Sequence, residues 1–147
     1  MKIVLEKSFN SKPDKVFNHF TELEKAPERI SGIEKLEILT EGPVGVGTQF
    51  KETRVMFGKT EEETMEIIEF QPGISYTLSC HSHGTLYKTH YHFFPTTSGT
   101  RVTMDFEASP ESILAKILTP LSYIMKNSVV KCFENDLEDL KKALETI

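Results

Sequence analysis

The chain has 147 residues, 38% hydrophobic and 27% charged, with a formal net charge of −5. That length fits one domain spanning residues 1–147, able to bury roughly two thirds of the surface its unfolded form exposes. The acidic balance, with no basic stripe to offset it, argues against a nucleic-acid partner, and no apolar run approaches the ~20 residues needed to span a bilayer.

The N-terminus meets Glu6 after three apolar residues, which is not the pattern of a signal peptide. Cys80 and Cys132 read as buried thiols in a reducing compartment rather than as a disulfide framework. A cytoplasmic location is the expectation.

Alternation predicts a first strand over residues 2–9, with Ile3, Leu5 and Phe9 on one side. Ser11, Pro13 and Asp14 signal a helix start, and Val16, Phe17 and Phe20 form its apolar stripe. His19 on this short helix is expected at the surface. Residues 23–30 read as a second short helix or turn, broken by Pro27 and ended by Gly32. Six strands follow, over 33–39, 47–57, 60–70, 74–83, 85–94 and 100–108. Their boundaries are turn residues: Gly42-Pro43, Gly58-Lys59, Gln71-Pro72-Gly73, His83-Gly84 and Thr97-Ser98-Gly99.

Residues 110–147 read as one long amphipathic helix. Its apolar residues include Ile113, Ile117, Leu121, Met125, Val129, Phe133, Leu137, Leu140 and Leu144. Ser109 is the expected N-cap and Pro110 the first helical residue. Pro120 either kinks this helix or separates a first segment, 111–119, from the rest. Such a helix spans roughly 55 Å and needs a large curved partner, which the preceding strands supply. A sheet wrapped around a helix tends to leave a cavity between them.

Registers follow from turn chemistry. A two-residue turn at His83-Gly84 pairs Cys80 with Tyr87, Leu78 with Thr89 and Tyr76 with Tyr91. A four-residue turn at residues 96–99 pairs Phe93 with Val102, Tyr91 with Met104 and Thr89 with Phe106. Both hairpins put the same apolar residues on one face, and a one-residue slip in either would break the agreement. A turn at Gly58-Lys59 pairs Arg54 with Glu63, Glu52 with Met65 and Phe50 with Ile67. The core face there carries Phe50, Met56, Met65 and Ile67, together with Glu52, Arg54 and Glu63. The opposite face carries Glu66, Phe57 and Ile68, although a three-residue loop at 71–73 would turn Glu66 and Ile68 inward; a bulge would decide.

Several runs resemble one superfamily: Ser11-Lys12-Pro13-Asp14-Lys15-Val16-Phe17, Val46-Gly47-Thr48-Gln49-Phe50, Glu69-Phe70-Gln71-Pro72-Gly73, Ser98-Gly99-Thr100-Arg101-Val102-Thr103, and a last helix interrupted at Pro120 that closes on Leu137-Glu138-Asp139-Leu140-Lys141. The chain resembles the START-related (SRPBCC, birch-pollen-allergen-like) superfamily, and within it the polyketide cyclase/dehydrase-like branch. The likeness covers essentially the whole chain. It implies an α+β helix-grip fold: a seven-stranded antiparallel sheet wrapped around the long C-terminal helix, with two short helices after the first strand. It also implies binding or transformation of a hydrophobic small molecule. The superfamily has no universal catalytic set to carry over, and it implies no cofactor.

The expected ligand-binding surface joins Arg54, Met56, Met65 and Ile67 to Tyr76, Leu78, Tyr87, Thr89, Tyr91, Phe93, Met104 and Phe106, with Leu121, Met125 and Val129 from the helix. Aromatic and methionine side chains offer apolar area, and phenol hydroxyls offer orientation. The leading expectation is a binding or transport module for an aromatic, polyketide-like or lipid-like molecule. The alternatives are a cyclase or dehydratase using Tyr87, Tyr91, Arg54 or Glu66, and a protein-interaction or chaperone-cofactor domain that exposes an apolar patch outside the cavity. Among His81, His83, His90 and His92, the first and third share a face but stand roughly 13 Å apart at 3.3 Å per residue, so no metal site is expected. The sequence leaves oligomeric state open.

Overall fold

The computed structural model describes residues 1–56 and 58–146. Among these, seven strands form one antiparallel sheet: β1 (Lys2–Phe9), β2 (Ile33–Ile38), β3 (Gln49–Met56), β4 (Lys59–Gln71), β5 (Ser75–Ser82), β6 (Thr85–Pro95) and β7 (Thr100–Pro110). Their order is β1-β7-β6-β5-β4-β3-β2. Between β1 and β2 lie α1 (Pro13–Thr21), a 3-10 turn (Leu23–Lys25) and α2 (Ala26–Arg29). After β7 come α3 (Ile113–Ile117), α4 (Thr119–Ile124) and α5 (Lys126–Glu145), the last of which the sheet grips. Phe57, expected to end the third strand and face outward, and Ile147, expected to end the last helix, lie outside the described residues.

The last element departs from the single helix expected. β7 runs on to Pro110, so Ser109 and Pro110 pair with Leu86 and Thr85 as strand residues rather than capping a helix. The cap falls instead at Ser112, whose Oγ accepts the Ala115 N–H at 3.0 Å. Pro120 has no N–H to give and sits near the start of α4, where none is needed. A second break at Met125 leaves α5 as the one long rod.

The hairpin joining β5 to β6 seats the start of α3. His83 (φ 49°) and Gly84 (φ 75°) both take the left-handed backbone that a two-residue hairpin turn of this kind requires. The Gly84 carbonyl accepts the N–H groups of Glu111 and Ser112 at 2.8 and 3.0 Å. A Cβ at Gly84 would collide with Ser112 Oγ, so a larger residue would have to displace the α3 cap.

The β5–β6 and β6–β7 ladders have the expected pairs. The β3–β4 ladder does not. Met56 pairs with Lys59, Arg54 with Glu61, Glu52 with Glu63 and Phe50 with Met65, a slip of two residues. Because side chains alternate with a period of two, every residue keeps its face. β4 carries a bulge between Ile67 and Glu69. It lets Phe70 point inward with Ile67 while Glu66 stays outside, bonded to Gln49 Nε2 at 2.8 Å.

The main core lies at one end, where Phe9, Phe17, Phe20, Tyr76, Phe93 and Val102 meet Leu137, Leu140 and Leu144 of α5. His19, expected at the surface, belongs to this end: it is buried, with Nε2 2.8 Å from the Leu140 carbonyl. Burial lowers its pKa, and the neutral ring donates Nε2–H to that carbonyl. Pro27 does not break a helix; it occupies the first turn of α2. Polar ties hold the C-terminal half of α5: Lys7 to Glu138, Ser31 to Asp139 and the Asn10 N–H to Glu145. One half of the rod is thus packed solid, and the other is left to border a space.

Candidate functional site

That space is a cavity of about 380 Å³ between the sheet and the N-terminal half of α5. Strand alternation aims its walls. β6 contributes Tyr87, Thr89 and Tyr91, and β5 contributes Leu78 and Cys80. β7 contributes Met104 and Phe106, and β3 and β4 contribute Met56 and Met65. Val129 and Phe133 close it from α5, with Met125 just before. All five methionines of the chain, Met1, Met56, Met65, Met104 and Met125, line this one cavity. Unbranched thioether side chains adapt to irregular apolar shapes, so this wall is adaptable in form.

One end is marked by a cluster of charges. Arg54 on β3 donates from Nε to Glu52 Oε1 at 3.0 Å and from Nη1 to Asp136 on α5, 3.0 Å from Oδ1 and 2.9 Å from Oδ2. Burial opposes the Arg54 charge, but Asp136 and Glu52 together outweigh it and hold the guanidinium above its ordinary pKa. For Asp136, burial outweighs Arg54 and pushes the carboxyl up. Leu78, Tyr91 and Met104 border both this cavity and a smaller one of about 80 Å³ under α1 and α2, as the three charged residues do. The cluster therefore stands between the two spaces.

Beyond it, burial and then the Asp136 charge raise the pKa of Tyr91. Burial also raises that of Tyr87. The Cys80 thiol is pushed up to about 12 by burial and by Glu63, to which it donates at 3.6 Å. Ser82 Oγ donates to the same carboxylate at 2.8 Å. Held in their protonated forms, the thiol and the two phenols are not activated nucleophiles.

Of the residues expected at the site, Arg54, Met56, Met65, Leu78, Tyr87, Thr89, Tyr91, Met104, Phe106, Met125 and Val129 line the larger cavity. Tyr76 reaches only the smaller one, stacked on Tyr91 with ring centroids 4.9 Å apart. Ile67 and Phe93 are sealed in core clusters, and Leu121, in α4, is 54% exposed. Glu66 is outside. Sequence reasoning passed over Asp136, Glu61, Phe133 and Met1, and Glu63 bonds Cys80 and Ser82 in place of Arg54.

The histidines are dispersed. His90 Nδ1 meets Thr77 Oγ1 at 2.6 Å, His92 stacks on Phe94 at 4.0 Å, and His81 lies 3.1 Å from Glu111. His83 does approach two carboxylates, Glu61 and Glu63, with donor atoms within 4.8 Å of one another at the partly open rim.

Comparison with known proteins places the chain. The family described as polyketide cyclase/dehydrase and lipid transport matches residues 1–145. The chain belongs to that family, and so to the START-related superfamily with its helix-grip fold. Among solved structures it is similar to TTHA0849 from Thermus thermophilus: 19% identity, TM-score 0.80, covering 99% of this chain and 98% of that one. It is similar to Ara h 8.0201 at 18% identity and TM-score 0.80, over 100% and 99% of the two chains. It also resembles the di-domain ARO/CYC StfQ of the steffimycin biosynthetic pathway, with 16% identity and TM-score 0.81 over 99% of this chain and 50% of that one. At these identities the likeness speaks to fold. A comparison with curated proteins gives no match.

Proposed function

We propose that the protein binds or carries a hydrophobic small molecule, aromatic, polyketide-like or lipid-like, in the cavity between the sheet and α5. The observation that carries this reading is the 380 Å³ space walled by all five methionines with Tyr87, Tyr91, Phe106 and Phe133. Its size falls within the range of small-molecule sites. The ligand-binding set is then the expected residues that border the cavity, enlarged by Phe133, Met1 and Asp136.

Carriage is favoured over catalysis by the state of the polar groups. Arg54 is engaged by two carboxylates, both oxygens of Asp136 are taken by Arg54, and Tyr87, Tyr91 and Cys80 hold their protons more tightly than usual. Acid/base work at neutral pH wants a group poised near that pH and free to reach substrate.

The wall also discriminates by charge. Glu52, Glu61, Glu63 and Asp136 border the cavity against one arginine, so an anionic ligand meets net repulsion. No helix of the described residues is long and apolar enough to cross a membrane. The free thiols Cys80 and Cys132 fit a reducing cytoplasm, and the net acidity fits a role without nucleic acid.

The test is a matched pair of probes, neutral 1-anilinonaphthalene and its sulfonate, titrated by fluorescence. The neutral probe should saturate at one per chain and bind at least about tenfold more tightly than the anion, the size of a 1.4 kcal/mol charge penalty. Saturation by neither probe would overturn the reading; equal affinity would overturn the charge argument alone.

A further inference from the structure

Residues 112–133 differ from the rest of the chain in two independent ways. First, α3, α4 and their junctions hold large apolar side chains out in solvent: Ile113 (80% exposed), Leu114 (65%), Ile117 (67%), Leu121 (54%), Tyr123 (55%) and Ile124 (78%). Their backbone is satisfied locally, by the Ser112 cap and by helical bonds such as Leu118 N–H to the Leu114 carbonyl at 3.0 Å. What the segment offers outward is therefore chiefly side-chain hydrocarbon, in a concentration that marks an interaction surface. Second, the charge is segregated. Residues 112–133 carry Lys116, Lys126 and Lys131 and no acid, in a chain whose net charge is −5. None of these lysines forms an ion pair among the described residues.

We infer that this segment docks on an anionic lipid surface, with the exposed apolar residues of α3 and α4 entering the headgroup boundary and the three lysines facing lipid phosphates. Apolar insertion combined with flanking lysines is the chemistry of interfacial helices. A second copy of the chain fits poorly as the occupant. A two-fold contact through this surface sets each lysine-bearing segment against its own copy, with no acid in the segment to neutralise it. An anionic leaflet satisfies both features at once, and the acidic remainder of the chain orients the molecule by repulsion from that leaflet. Met125 and Val129, inside the same stretch, border the large cavity. If the cavity reading holds, docking sets this wall of the cavity against the membrane. The docking itself does not depend on that reading.

The experiment is co-sedimentation of the full chain with vesicles of phosphatidylcholine alone or mixed with phosphatidylglycerol, at low and high salt. Each lysine near an anionic leaflet adds roughly fivefold to partitioning, so the mixed vesicles should bind at least about tenfold more protein at low salt, and high salt should release it. The double variant Ile117→Glu, Ile124→Glu should abolish binding. Both positions are largely exposed, so its circular dichroism and its affinity for neutral 1-anilinonaphthalene should match the parent. Lys116→Gln should weaken binding several-fold without abolishing it. Failure to bind the mixed vesicles would overturn the inference, as would binding that the double variant leaves intact. So would a concentration-dependent dimer that the double variant dissolves, since a second copy would then cover the face.

Discussion

Replacing Arg54 with methionine is expected to destabilise the protein by about 3–5 kcal/mol at neutral pH, because it leaves two carboxylates in a largely buried site with no cation. Arg54, Glu52 and Asp136 expose only 16%, 11% and 18% of their side chains, so water cannot substitute fully for the guanidinium. The deficit should depend on pH with a definite sign. Burial already raises Asp136 in the parent, and Arg54 is the main influence holding it down. Without Arg54, the folded-state pKa of Asp136 moves further above its unfolded value. A raised carboxyl favours folding below its unfolded pKa and loses that contribution as pH rises through the folded one. The variant should therefore be weakest near neutrality and recover as pH falls toward the ordinary aspartate value. Adding Asp136→Asn should restore part of the loss at pH 7. Urea unfolding of the three proteins across pH reads this directly. A deficit under about 1 kcal/mol, or one that grows on acidification, would mean that the cluster is solvated.

Phe17→Ala is expected to cost a similar amount, about 3–5 kcal/mol. Phe17 is 1% exposed and meets Phe70, Tyr76 and Phe93 edge-to-face, at centroid distances of 5.2, 5.8 and 5.2 Å. Truncation loses the buried ring, opens a void and removes contacts worth about 0.5–1.5 kcal/mol each. The void opens in the packed end, away from the methionine-lined space. The denaturation midpoint should therefore drop sharply while the folded fraction keeps its affinity for the neutral probe. A small change in midpoint would show that the ring is not a keystone of this end.

The two hairpins joining β5, β6 and β7 were legible because turn chemistry and face alternation had to agree, and a single-residue slip would have exposed the aromatic face. The β3–β4 ladder offered no such check. A two-residue slip preserves both faces, so alternation cannot distinguish Arg54 opposite Glu63 from Arg54 opposite Glu61. The helix break at Leu118, just ahead of Pro120, was readable from the proline's missing N–H. The break at Met125 was not, since Ile124-Met125-Lys126 has no helix-breaking residue and the geometry there answers to packing. His19 was misjudged on residue type alone, although its place three residues after Val16 and next to Phe20 put it on the buried stripe. Asp136 carried a similar signal: it follows Val129 and Phe133 at helical spacing, so an acid on the inner side of α5 needed a buried cation, and Arg54 was available. The methionines were a compositional clue: three on strands whose alternation turns them inward, one at the N-terminus and one at a helix junction, all bordering a common space.

The proposed function places a hydrophobic guest in this space. Thr89 borders it from the middle of β6, opposite Leu78 on β5 and Phe106 on β7. Thr89→Trp would fill the interior from the wall. Titrating the parent and this variant with neutral 1-anilinonaphthalene should give one saturable site in the parent and at least about a tenfold loss of affinity in the variant, with circular dichroism unchanged. Equal affinity and stoichiometry in the two proteins would mean that the probe sits elsewhere and that this space is not its site.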